Sequence, residues 1–175
     1  MKSLKLKVKS LRLSGFTLVE MLVVISIIAV IVALSLPNYL GARERARDTK
    51  RKAELAQIKA ALRLYYNDYK QYPDSDLGLY IKGCGTAGTD RCNTSSAFSA
   101  GPAGNETIYM RLLPPGYGTE YFYNRNPARP SDTDDFLLKV ALDNASDADI
   151  ATSQSRCGVT GLAGIGTKDY VVCAD

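Results

Sequence analysis

Residues 16–36 read FTLVEMLVVISIIAVIVALSL, an apolar run with one charged position, Glu20. As a helix rising ~1.5 Å per residue it would be about 31 Å long, matching a bilayer core of ~30 Å. A secretory h-region is shorter, ~7–15 residues, and ends at a small-residue site; no A-x-A follows this run. Pro37 removes an intrahelical hydrogen bond and Gly41 softens the same region, which predicts a hinge where the run ends. The pattern then changes to RERARDTKRKAEL over residues 43–55, charged nearly all round. Such a run can bind nucleic acid or lipid headgroups, but Glu44, Asp48 and Glu54 interleave with its bases and favour a solvated, ion-paired helix face. Beyond it, Leu55, Ile58, Leu62, Tyr65, Tyr69 and Tyr72 recur at alternating steps of three and four and form one helical stripe. The stripe is too short for a coiled coil and is expected to cover a sheet. Tyr72-Pro73-Asp74 should end the helix, whose span from Phe16 to Tyr69 would be about 80 Å, half of it outside a globular head.

After the helix, residues 74–104 are rich in Gly, Ser, Thr and Asp and read as a long surface loop. Strands are predicted at 108–113, ended by Pro114-Pro115, at 120–124, and at 135–142, where Phe136, Leu138, Val140 and Leu142 alternate. A fourth is predicted at 168–173, with Tyr170 and Val172 on one face. Short, turn-rich connections favour antiparallel pairing. The expected fold is therefore α+β: a long N-terminal helix, half transmembrane and half amphipathic, packed on an antiparallel sheet of three or four strands. The chain divides into 1–15, 16–36, the amphipathic half 37–73, and a head at 74–175.

Charge sharpens this division. Lys2, Lys5, Lys7, Lys9 and Arg12 crowd the first twelve residues with no acid among them; taking those five from the 22 basic residues leaves 17 against 18 acidic ones, a balance of −1. There is no histidine, which excludes Ser/His/Asp and Cys/His catalysis and histidine metal sites. No nucleophile with its base and no phosphate loop is present, so no catalytic residue is assigned and no cofactor is expected. The four cysteines are too widely spaced for CxxC zinc pairs and favour two disulfides, which would place the C-terminal part in an oxidising compartment. Three pairings are possible, of which Cys84–Cys92 and Cys157–Cys173 close the shortest loops. Bases flank the apolar run on both sides, so the cysteines rather than the positive-inside rule give the orientation: N-terminus cytoplasmic, head outside. Asn93, Asn105 and Asn144 fit the glycosylation acceptor pattern, which turn composition also explains.

At Ser14-Gly15-Phe16-Thr17-Leu18-Val19-Glu20 the chain resembles the type IV pilin and pseudopilin family, and the likeness extends through the apolar run and Pro37 to Tyr72-Pro73, about a third of the chain. The resemblance implies that 1–15 is a leader, that a prepilin peptidase cuts between Gly15 and Phe16, and that the Phe16 amine is methylated. It also implies that inner-membrane machinery assembles the subunit into a helical homopolymer. A carboxylate inside a transmembrane helix is functional by default and needs a partner. The nearest candidate for Glu20 is a neighbouring subunit's Phe16 amine, a pairing that would set axial register. The alternative is that Glu20 sits near the headgroups at the helix's positive end.

Some pseudopilins bind calcium in a late loop. Asp143, Asp147 and Asp149 are the weak candidates here, without EF-hand spacing or a glycine-centred ligand loop. The functions implied are a type IV pilus serving adhesion, motility or DNA uptake, or the major pseudopilin of a type II secretion system. A single-span anchored binding domain that never polymerises is the reading from a different class. DNA or a surface ligand would be met by the assembled filament.

Overall fold

The structure, a computed structural model, describes residues 15–125 and 133–174. The chain forms two compact units, Met1–Ala42 and Arg43–Asp175. Helix α1, Leu18–Tyr69, belongs to both, and its backbone stays helical at residue 37 and at Gly41.

In the first unit the apolar run has no interior to enter. Met21 is half exposed and Leu34 is 72% exposed. Every residue from 18 to 36 is exposed in the same way. By length and composition α1 contains a stretch able to cross a membrane, and none of that stretch is buried within the chain. Its many valines and isoleucines are mediocre helix formers in water. A helix is nevertheless one of the few structures that satisfy every backbone group in lipid.

In the second unit the stripe on α1 finds its sheets. Leu55, Ile58 and Leu62 are fully buried, together with Ala61, Tyr65 and Tyr72. Burial of each large aliphatic side chain is favourable by about 1.5–3 kcal/mol. Tyr65 stacks on Tyr69 at 4.4 Å and on Phe98 at 5.5 Å between ring centroids. The helix stops at Lys70, which adopts a left-handed φ of 56° and donates its backbone N–H to Tyr66 at 2.8 Å.

Among the described residues eight strands follow in three sheets. The first joins β1 (Asp74–Asp76), β2 (Tyr80–Cys84) and β3 (Asp90–Arg91); the second joins β4 (Phe98–Ala100) and β5 (Thr107–Met110). The third has the order β6 (Tyr121–Asn124), β7 (Leu137–Ala141), β8 (Asp169–Cys173). All ladders are antiparallel. The four expected strands are present as β5 to β8, and the α+β class holds.

Two expectations need correction. The structure divides the strands among three sheets rather than one, and residues 74–104 are not a plain loop but supply β1 to β4. The physical reason is local. Asp-Ser-Asp and Asp-Arg carry no apolar alternation, so only pairing with β2 makes them strands. Gly83 fits because a Cβ there would lie 2.7 Å from the Pro73 side chain and 3.2 Å from the Phe98 ring.

Helix α2, Ala148–Arg156, was also missed. Its signals are an N-cap, Asp147, whose carboxylate accepts from the Asp149 N–H at 2.9 Å, and Gly158 at φ 64° just past its end.

Candidate functional site: the start of the long helix and the charged clamp

Thr17 and Glu20 form a capping box at the first turn of α1. The Thr17 N–H and the Thr17 hydroxyl both donate to Glu20 Oε2 at 2.8 Å, and the Glu20 N–H donates to Thr17 Oγ1 at 3.3 Å. Two backbone donors that a helix start leaves without partners are thus satisfied, and the carboxylate is held at the mouth of the helix. Sequence reasoning singled out Glu20 and passed over Thr17, although T-x-x-E ahead of an apolar run is a legible signal. Phe16 is 78% exposed. A Cβ on Gly41 would meet nothing within 4 Å.

The charged segment of α1 is ion-paired and largely exposed, but one of its acids is not solvated. Asp48 is almost completely buried and accepts the backbone N–H groups of Asp143 and Asn144 at 2.8 and 2.9 Å. Arg51 donates to Asp143 at 2.7 Å and to Asp48 at 3.3 Å, and Arg47 donates to the other Asp143 oxygen at 2.7 Å. Lys52 joins Asp147 at 2.7 Å and Asp149 at 2.6 Å. The three aspartates considered for calcium therefore take their positive charge from α1. Among the described residues no group of three or more His, Cys, Asp or Glu is arranged to hold a metal ion.

The Arg51 guanidinium first, then Arg47, holds the Asp143 carboxyl below the usual range; Lys52 and the Asp149 N–H do the same for Asp147. Burial opposes the charge on Lys52, but its two carboxylate partners raise its pKa overall. Asp147 serves twice, capping α2 and binding Lys52, so the clamp fixes the start of α2 against α1. Asp48 was read only as one of several interleaved acids, because its partners are backbone groups 95 and 96 residues away.

The disulfides join Cys84 to Cys92 and Cys157 to Cys173, with Cα atoms 5.3 and 5.8 Å apart. The first closes the β2–β3 turn, and the second ties the C-cap of α2 to the end of β8. Buried tyrosine hydroxyls are paired: Tyr123 donates to the Pro73 carbonyl at 2.5 Å, Tyr109 to Asp68 at 2.8 Å, and Tyr121 to Glu54. Burial, then the Glu54 carboxylate, pushes the Tyr121 hydroxyl well above the ordinary tyrosine range. A groove of about 470 Å³ lies between Leu77, Phe122, Lys139 and Leu162 and holds no catalytic grouping.

Residues 12–36 match the family model for the prokaryotic N-terminal methylation motif. The chain is 38% identical over 68 residues to the type II secretion system core protein G of Aeromonas hydrophila, covering 39% of this chain and 48% of that one. It is 40% identical over 65 residues to the protein of the same name from Escherichia coli K12, covering 37% and 45%. To the type IV wide pilus major component PilA4 of Thermus thermophilus it is 41% identical over 69 residues, covering 39% and 53%. The chain thus spans about half the length of the curated relatives it matches, and no solved structure matches it. The chain carries the prokaryotic N-terminal methylation motif over residues 12–36, and over a shared segment of 65–69 residues it is similar to type II secretion core protein G and to a type IV pilus component.

Proposed function

We propose that this chain is a non-enzymatic filament subunit. Residues 16–36 insert it in the cytoplasmic membrane with the head outside; a prepilin peptidase cuts between Gly15 and Phe16; and the Phe16 amine is methylated. Membrane machinery then polymerises the subunit through its apolar helix. One observation carries the reading: the apolar half of α1 is exposed along its whole length, whereas the half from Leu55 onward buries its stripe. An exposed apolar surface of that extent needs lipid or identical neighbours to cover it. The disulfides support placing the head outside the cytoplasm.

Glu20 carries the register. In the uncut chain Thr17 satisfies the carboxylate locally. Cleavage creates an ammonium at Phe16, and a neighbour's amine then gives Glu20 a counter-charge as the helices pack in an apolar surrounding, while a wrong offset leaves two charges unpaired. Pro37 and Gly41 supply a hinge beyond the span.

Two assemblies fit such a subunit. A type IV pilus for adhesion, motility or DNA uptake is the first, supported by the likeness to the Thermus wide-pilus component. A type II secretion pseudopilus is the second, favoured by the likeness to core protein G from Aeromonas and Escherichia. Electron microscopy of sheared cell-surface filaments, with mass spectrometry of their subunits, tests the reading. The expected result is a filament of chains beginning at methylated Phe16, with its yield lost in Glu20→Ala. Full-length protein that stays monodisperse in native membranes with residues 1–15 attached would overturn it.

A further inference from the structure

The basic run after the apolar segment splits according to what each side chain touches. Arg47, Arg51 and Lys52 are taken up by Asp48, Asp143, Asp147 and Asp149, and Lys50 lies 3.7 Å from Glu54. Arg43 and Arg45 are different: both are exposed, and neither has an acidic partner among the described residues. Their position is unusual as well. With the disulfide-bonded head outside the cytoplasm, they lie on the side of the membrane where short flanking segments are normally poor in Lys and Arg. The head and Glu54 take up the later bases of the run and leave these two, the first after residue 36, with only the exposed Glu44 between them.

We propose that Arg43 and Arg45 bind the phosphate groups of anionic phospholipids in the outer leaflet of the cytoplasmic membrane, and so hold the waiting subunit at a fixed depth. This rests on the reading of residues 16–36 as a membrane span. Headgroups add ~5–8 Å to each side of the hydrocarbon core. An arginine a few residues beyond the core reaches them, because its apolar stem lies along the interface while the guanidinium finds the phosphate. The planar guanidinium matches a phosphate with two parallel hydrogen bonds, which a lysine cannot reproduce. Tyr39, 64% exposed, supplies an aromatic ring of the kind that settles at such an interface. Two cations at an anionic surface favour phosphatidylglycerol over a zwitterionic lipid by up to roughly thirtyfold, which the exposed Glu44 between them lowers to on the order of tenfold.

The test is native mass spectrometry of the full chain released from nanodiscs of phosphatidylglycerol and phosphatidylcholine in equal amounts, counting each lipid retained. The wild type is expected to keep phosphatidylglycerol about tenfold over its competitor. The double variant Arg43→Gln with Arg45→Gln should lose most of that preference relative to the wild type, the five bases of residues 1–15 adding the same background to every chain compared. A control with the same charge change, Arg47→Gln with Lys50→Gln, should keep most of the preference, and the leader is identical in all three. A wild type without preference, or a double variant that retains it, overturns the proposal. If the double variant retains the preference but forms no filaments, the partner of these arginines is an acidic group on a second copy instead, and the proposal also falls. Failure of the wild type to enter nanodiscs of phosphatidylcholine alone would overturn the span itself, a result distinct from the others.

Discussion

The two ends of α1 share one secondary structure and reach opposite solutions to the same problem. Along residues 18–36 the side chains are, Glu20 apart, overwhelmingly apolar and all exposed, whereas from Asp48 to Tyr65 the helix has one buried stripe and a set of charges matched to aspartates on the head. A helix with one apolar stripe completes itself against its own chain. A helix that is apolar all round cannot, since a single sheet covers only one side. The first end is therefore built for an environment and the second for a fold, and substitutions should separate them.

The largest effect on the fold is expected from Leu62→Ala. It empties a fully buried position and should cost about 2–5 kcal/mol in urea unfolding of the head, while membrane partition stays as in wild type. Loss of partition instead would mean that the two ends are coupled. The reciprocal change, Ile27→Lys, places a charge in the middle of the apolar run at about 2.5–3.5 kcal/mol. Alkali-resistant membrane association should fall while the thermal melt of the head is unchanged.

Asp48→Asn sharpens the comparison within the second end. The buried carboxylate accepts two backbone N–H groups and Arg51, and an amide cannot replace all three, so unfolding should show a loss of about 1–3 kcal/mol. A neutral result would mean that the clamp adds no stability.

The smallest effect is with pH. Asp143 and Asp147 are depressed in the folded state, so their contribution is present above the ordinary aspartate value of ~4 and is lost as pH falls through their lowered values. Circular-dichroism melts should be flat between about pH 7 and 5 and decline below about pH 4. Both groups are partly exposed, so the loss is on the order of 1 kcal/mol, and Asp143→Asn should blunt it.

The helix and β7 were legible because each is written in a local period: three and four for the stripe, two for Phe136, Leu138, Val140 and Leu142, all of which are buried. Leu137 shows where a period stops informing. It lies on the opposite face of β7, yet it is buried with Val159 and Val171 under the segment after α2. At the start of α1, Glu20 stood out as a charge in apolar surroundings, while its partner Thr17 belongs to a short motif that was readable and went unread.

The sequence by itself determined the apolar run, the helical stripe, the α+β class and the absence of histidine chemistry, because periodicity and residue type are properties of neighbouring positions. Tertiary structure alone decided that Asp48 would be buried, that three aspartates would be held by arginine and lysine, and that Asp-Ser-Asp would become a strand. Those outcomes depend on groups as many as 97 residues apart finding one another, and the burial that gives such contacts their strength exists only once the chain has folded.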